Sequence, residues 1–165
     1  KINNDQEPEH IKQIELNLWD KIKTKCEQGR RTGTGNTALG DTLAALNIKY
    51  DSEQGIRTAE QIYQTLKFGC YRSSVDMAKE LGPFPIFHKC LEENNPFLNR
   101  INQEELNFHN YSENTFDYVS GKELYEDMQK YGRRNISLLT QSPSGTTSIS
   151  AQINEKIYRQ RPGLV

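Results

Sequence analysis

The chain is poor in the residues that build staples, membrane spans and metal sites. It has three cysteines, Cys26, Cys70 and Cys90, an odd number at wide spacing with no Cys-x-x-Cys pair. That argues against a disulfide frame or a zinc site and suits reduced thiols in a cytosolic protein. No apolar run is long enough to cross a bilayer. No leader pattern opens the sequence, which starts at Lys1. Neither charge dominates: 21 Lys and Arg against 22 Asp and Glu leave a net charge of −1, so no global basic field draws nucleic acid. His10, His88 and His109 have no Cys, His or Asp partners at metal-ligand spacing, which leaves them structural or surface roles. No Gly-Lys-Ser/Thr P-loop occurs. Neither a Ser/His/Asp set nor a carboxylate pair can be argued from spacing.

What is present suits one domain. The 165 residues are 34% hydrophobic and 26% charged, and the mean hydropathy of −0.84 is polar for a self-contained globule. Ile11, Ile14, Leu18 and Ile22, with Trp19 beside them, put one apolar stripe on a helix from Glu9 to about Cys26, stopped by Gly29. A helix is expected from Thr37 to Leu46. A longer one runs from Thr58, a cap with Gln61 completing a capping box, to Leu81, where Gly82 and Pro83 stop it. Gly82 to Phe87 reads as a rigid extended segment, followed by a short helix through Cys90 and Leu91. The three cysteines fall on helical segments, as buried small hydrophobes rather than nucleophiles. Residues 92–117 are poorly periodic and read as a long connection over the surface. Gly121 to Lys130 is a helix with Leu124, Tyr125 and Met128 on one side. Asn154 to Val165 shows no clear element.

The chain is organised around residues 132–148. Gly132 is a turn signal, and Ile136 to Thr140 reads as a buried strand. Pro143 ends it, because proline has no N–H for a ladder. Ser144, Gly145, Thr146, Thr147 and Ser148 follow. Small hydroxyl residues around a glycine, just past a strand, offer free backbone N–H groups and a helix N-terminus to an anion, as a phosphate cradle would. The commoner meaning of such a cluster is an ordinary Ser/Thr turn with a cap, and composition leaves both open.

A second glycine-rich passage runs from Arg30 to Asp41. Gly33-x-Gly35 is followed by Gly40, which breaks the dinucleotide-binding spacing. The simpler reading is a tight strand or turn where another backbone comes close. Arg30-Arg31 and Arg133-Arg134 each precede such a segment; either pair can hold an anion or form ion pairs that fix where a strand begins. Helices alternating with a few buried strands indicate an α/β fold. Too few strands are visible to close a barrel, so the chain looks like a piece of a larger domain.

Three passages together resemble a known family. Gly29-Arg30-Arg31-Thr32-Gly33-Thr34-Gly35 with Leu39 to Leu46, then Ala78-Lys79-Glu80-Leu81-Gly82-Pro83-Phe84-Pro85, then Gly132-Arg133-Arg134-Asn135 through Pro143 to Ser148, are similar to passages of ribonucleotide reductase large chains, in the same order. The likeness is strongest over residues 29–148; residues 149–165 form a divergent tail.

The resemblance implies that residues 1–165 are a partial catalytic barrel domain, a fragment of the family's ten-stranded α/β barrel. That family reduces ribonucleotides to 2′-deoxyribonucleotides for DNA synthesis through a protein thiyl radical. It implies that Ser144, Gly145, Thr146, Thr147 and Ser148 bind the substrate phosphates. The family's radical cysteine lies in an Asn-x-Cys-x-Glu passage absent here, so Cys26, Cys70 and Cys90 do not take that role. No catalytic or metal-binding residue is expected in this part, and the isolated chain should be inactive. The wording around Gly145 and Gly33 is more like the adenosylcobalamin-dependent members; the other members take their radical from a small metal-containing subunit. The implied partners are a ribonucleotide, the remainder of the reductase chain and a second copy in a homodimer, in the cytoplasm, with neither nucleic acid nor membrane. A nucleotide-phosphate binding module or vestigial piece without its own chemistry is the alternative.

Overall fold

The structure, a computed structural model, describes residues 6–110 and 115–142. Six helices and one hairpin are present among them: α1 (Glu9–Gly29), α2 (Leu39–Ala45), α3 (Glu53–Leu81), α4 (Lys89–Glu92), α5 (Pro96–Ile101), β1 (Glu105–Asn110), β2 (Thr115–Ser120) and α6 (Gly121–Tyr131). The α/β expectation holds only in part. Helix predominates, and no barrel is formed among the described residues.

α3 is the spine, and it starts earlier than expected. Its cap is Ser52, not Thr58: the Ser52 hydroxyl accepts from the Gly55 N–H at 3.0 Å. The Thr58 hydroxyl is spent inside the helix, donating to the Gln54 carbonyl at 2.8 Å. Gly55 looks like a turn residue in sequence, but it is needed for proximity. A Cβ there would stand 2.7 Å from the Lys49 carbonyl oxygen. At the far end Gly82, with φ +77°, closes the helix as its N–H donates to the Ala78 carbonyl. Gly69, inside α3, has open space beside it.

The core collects around the second half of α3. Phe68, Tyr71 and Val75 pack with Leu98 and Ile101 of α5, Leu106 of β1, Leu124 and Met128 of α6, and Leu138. Each such side chain contributes about 1.5–3 kcal/mol when fully buried. Residues 92–117 are therefore no surface connection: they carry three core residues. α5 begins where the Asn95 side chain accepts from the Phe97 N–H at 3.0 Å, with Pro96 at the first helical position. β1 and β2 pair antiparallel, Glu105 opposite Ser120 and Asn110 opposite Thr115. α6 then starts at Gly121, where a Cβ would fall 1.9 Å from the Ile101 carbonyl oxygen.

Two expectations about burial are corrected. The stripe on α1 is not a core face: Ile14, Leu18, Trp19 and Ile22 are all exposed, and only Ile11 is half-buried. Cys26 and Cys90 are exposed as well; only Cys70 rests against the core.

Candidate functional site

The segment from Gly132 to Ser142 is fixed residue by residue. Gly132 has φ +74° and lies tight against Pro83 and Phe87, where any Cβ would collide. Arg133 is buried. Its Nη2 donates to Glu92 Oε1 at 2.7 Å, and its guanidinium lies 5.7 Å from the Tyr71 ring centre and 6.0 Å from that of Phe84. Burial pushes the Tyr71 phenol above its ordinary value, against the pull of the Arg133 cation. Arg134 turns the other way, and its Nη1 donates to the Leu81 and Gly82 carbonyls at 3.0 and 2.9 Å. A cation there satisfies orphan carbonyls and complements the negative end of α3. Both arginines are thus engaged within the protein, the bridging role rather than the anion-holding one. Arg30 and Arg31 are exposed.

Asn135 ties three elements together. Its backbone N–H donates to Ser74 Oγ at 3.1 Å, the Ser74 hydroxyl donates back to Asn135 Oδ1 at 2.9 Å, and Asn135 Nδ2 donates to the Arg30 carbonyl at 2.9 Å. Arg30 caps α1 in the left-handed conformation, φ 45°. The Ile136 N–H then bonds the Gly29 carbonyl at 3.0 Å.

Beyond Ile136 the segment runs parallel to the glycine-rich passage. Thr32 and Thr34 donate to the Ser137 and Leu138 carbonyls at 2.9 and 2.8 Å, and Thr140 donates to the Thr34 carbonyl at 3.1 Å. The ladder amounts to one parallel bridge, Thr34 with Leu139, rather than a full strand over 136–140. Leu138 is buried; Ile136, Ser137 and Leu139 are half-buried, and Thr140 is exposed. Here the glycines do what the sequence suggested. A Cβ on Gly33 would meet the Thr140 side chain at 2.6 Å, and one on Gly35 the Thr140 carbonyl oxygen at 2.1 Å.

Gln141 closes the arrangement. Its Nε2 donates to the Asn36 carbonyl at 3.1 Å, and its Oε1 accepts from the Tyr63 hydroxyl at 3.3 Å. A cavity of about 520 Å³ opens at this carboxyl end of the paired segments, lined by Thr34, Tyr63, Lys67, Glu104, Thr140 and Gln141 among others. Lys67 and Glu104 form an ion pair on its wall. None of Tyr63, Lys67, Glu92, Glu104 or Gln141 carried a signal in sequence, since each acts through a partner far along the chain.

The expected phosphate loop, Ser144, Gly145, Thr146, Thr147 and Ser148, lies outside the described residues, as does the tail 149–165. Among the described residues no group of three or more His, Cys, Asp or Glu could hold a metal ion. His10 and His88 are exposed. No helix among those residues is long and apolar enough to cross a membrane.

Comparison with known proteins agrees with the three passages. The family described as ribonucleotide reductase, barrel domain, matches residues 10–160. The chain is 29% identical over 129 residues to the ribonucleoside-diphosphate reductase large subunit of Ostreid herpesvirus 1, covering 78% of this chain and 15% of that one. It is 30% identical over 139 residues to the large chain of Neurospora crassa, covering 80% and 14%. A vitamin B12-dependent ribonucleoside-diphosphate reductase of Mycobacterium tuberculosis is 38% identical over 58 residues, 35% of this chain and 8% of that one. The chain thus spans about 15% of the length of the curated relatives it matches over most of its residues. It belongs to the ribonucleotide reductase family, within the barrel domain of the large, catalytic chain.

Proposed function

We propose that the complete protein reduces ribonucleoside diphosphates to 2′-deoxyribonucleotides, and that this part supplies the cradle for the substrate phosphates. The observation that carries the reading is the parallel pairing of 32–34 with 137–140, with Gln141 clamped where that pairing ends. In open parallel α/β arrangements, ligands bind just outside the carboxyl ends of the strands. Ser144, Gly145, Thr146, Thr147 and Ser148 follow that end directly. Their backbone N–H groups and hydroxyls are the phosphate donors, each charge-assisted hydrogen bond contributing about 1.5–3 kcal/mol. Gly145 admits the anion close to the backbone and brings no carboxylate to repel it.

Within this reading residues 1–165 are part of a ten-stranded barrel, and the 32–34 and 137–140 segments are two of its neighbouring strands. The enzyme works in the cytoplasm as a homodimer and feeds DNA replication. The wording of the loop around Gly145 favours the adenosylcobalamin-dependent type, in which the cofactor supplies the initiating radical. No step of this part's chemistry is routed through it. Its contribution is to bind and orient.

The test uses the complete enzyme. Gly145→Glu should weaken nucleotide binding strongly and Thr146→Val by a smaller step, with cofactor binding unchanged in both. Unaltered nucleotide affinity in both variants, with circular dichroism unchanged, would leave the loop a plain helix cap.

A further inference from the structure

We propose that Gln141 and Tyr63 are positioning residues for the substrate phosphates: together they fix the point at which the chain leaves the paired segments for Ser144. The parallel pairing advances in a regular pattern. The Thr34 N–H donates to the Leu138 carbonyl at 2.8 Å, and the Thr140 N–H to the Thr34 carbonyl at 3.1 Å. The next rung lies two residues on in each segment, where the Asn36 carbonyl would take the Ser142 N–H. That carbonyl takes Gln141 Nε2 instead, at 3.1 Å. A side chain thus stands where the backbone would have paired, and the ladder stops there. Pro143, the residue after Ser142, has no N–H with which to resume it.

The Gln141 amide can sit only one way round. The Asn36 carbonyl can only accept, so the amide nitrogen faces it and Oε1 is left for the Tyr63 hydroxyl, which donates at 3.3 Å. Tyr63 belongs to α3, little more than a turn before Phe68, whose ring is buried in the core. The bond therefore ties the end of the segment to the helix that carries the core. Neither side chain needs to touch the nucleotide. Both act through Ser144, three positions beyond Gln141, and the residues after it. A loop whose entry is already held loses less affinity to being ordered. The inference rests on the phosphate-cradle reading of Ser144 to Ser148.

The test uses the complete enzyme and a ribonucleoside diphosphate, with equilibrium binding, turnover and urea unfolding measured on each variant. Gln141→Met keeps the length of the side chain and removes both hydrogen bonds; Tyr63→Phe removes one. Each should raise Kd and KM for the nucleotide by about three- to tenfold, the equivalent of a neutral hydrogen bond. At saturating nucleotide kcat should stay within about twofold of the parent value, as expected when binding rather than chemistry is affected. Because the two residues act as one clamp, Tyr63→Phe should have no further effect in the Gln141→Met protein. A lower urea midpoint with Kd unchanged would overturn the proposal, since the clamp would then only stabilise the fold. So would independent effects that multiply in the double variant. Gly145→Glu, measured alongside, separates this proposal from the reading beneath it. If Gly145→Glu weakens nucleotide binding while both clamp variants bind like the parent, the cradle stands and the positioning role falls. If Gly145→Glu binds normally, the cradle falls and the positioning role with it.

Discussion

Removing the Glu92 carboxylate should cost this fold far more than an ion pair on a four-residue helix suggests. The Arg133 side chain is 5% exposed and that of Glu92 13%, with a single 2.7 Å hydrogen bond between them. Glu92→Ala leaves the guanidinium buried between two rings without a counter-charge, a change that costs about 3–5 kcal/mol. In the complete enzyme, the protein in which this pair is to be tested, the loss should show as a lower unfolding midpoint in urea. The pair is not ideal, because Arg133 Nε and Glu92 Oε2 are buried with no hydrogen-bond partner. Replacing both residues with apolar side chains of similar size, Arg133→Met with Glu92→Leu, should therefore be close to neutral or stabilising by about 1–4 kcal/mol. Urea unfolding followed by circular dichroism on the two single variants and the double variant closes the cycle. A Glu92→Ala cost under about 1 kcal/mol, the range of exposed pairs, would refute the reasoning. So would a double variant that costs the sum of the singles.

Gly35→Ala should disrupt the paired segments, because its Cβ would lie 2.1 Å from the Thr140 carbonyl oxygen; faster amide exchange at Thr34 and Thr140 is the readout, and unchanged exchange would count against it. The Lys79 ammonium, bonded at 2.9 Å, holds the Asp127 carboxyl below its ordinary value and links α3 to α6. A lowered folded-state value means stability that is present above the ordinary carboxylate range and lost as pH falls through the folded value, so Asp127→Asn should flatten the acid limb of a urea-midpoint profile. Tyr71 is raised by burial, so its share of stability is intact below the ordinary phenol value and lost as pH rises through the folded one; Tyr71→Phe should weaken that alkaline loss. The isolated 165-residue chain should be marginal or prone to aggregate, and a monodisperse monomer melting cooperatively above about 60 °C would contradict this.

Helix ends were legible where a residue type has only one local use. Gly82 followed by Pro83 marked the end of α3, and Gly29 is the last residue of α1. The start of α3 was misread because Gly55 has two uses, as a turn former and as a small residue under close carbonyls, and only packing against Lys49 and Tyr50 decides between them. Asn95-Pro96 is a helix start of the ordinary kind, a side-chain cap followed by proline at the first helical position. The hairpin was harder. Its register sets Leu106 opposite Val119 but Phe108 opposite Asp117, so neither strand presents the clean alternation by which a half-buried strand is recognised.

Around the candidate site, what was legible is what the backbone demands locally, and what was hidden is what holds it in place. Two glycines spaced by one residue implied a close backbone approach, and Thr140 is the neighbour that approaches. The sequence could not name that neighbour, because it lies about a hundred positions away. The same holds for Asn135 with Arg30 and for Gln141 with Asn36. These long-range bonds make one continuous structure. Arg133 and Arg134 moor the segment to α4 and the end of α3, Asn135 joins it to α1, the parallel bridge sets its direction, and Gln141 holds its last turn toward Tyr63. A loop that binds an anion with backbone N–H groups needs those groups held before the ligand arrives, since ordering them on binding would subtract from affinity. If Ser144 to Ser148 bind phosphate as proposed, the anchoring of 132–141 supplies that order on the near side of Ser144, with Arg133 and Arg134 committed to the fold.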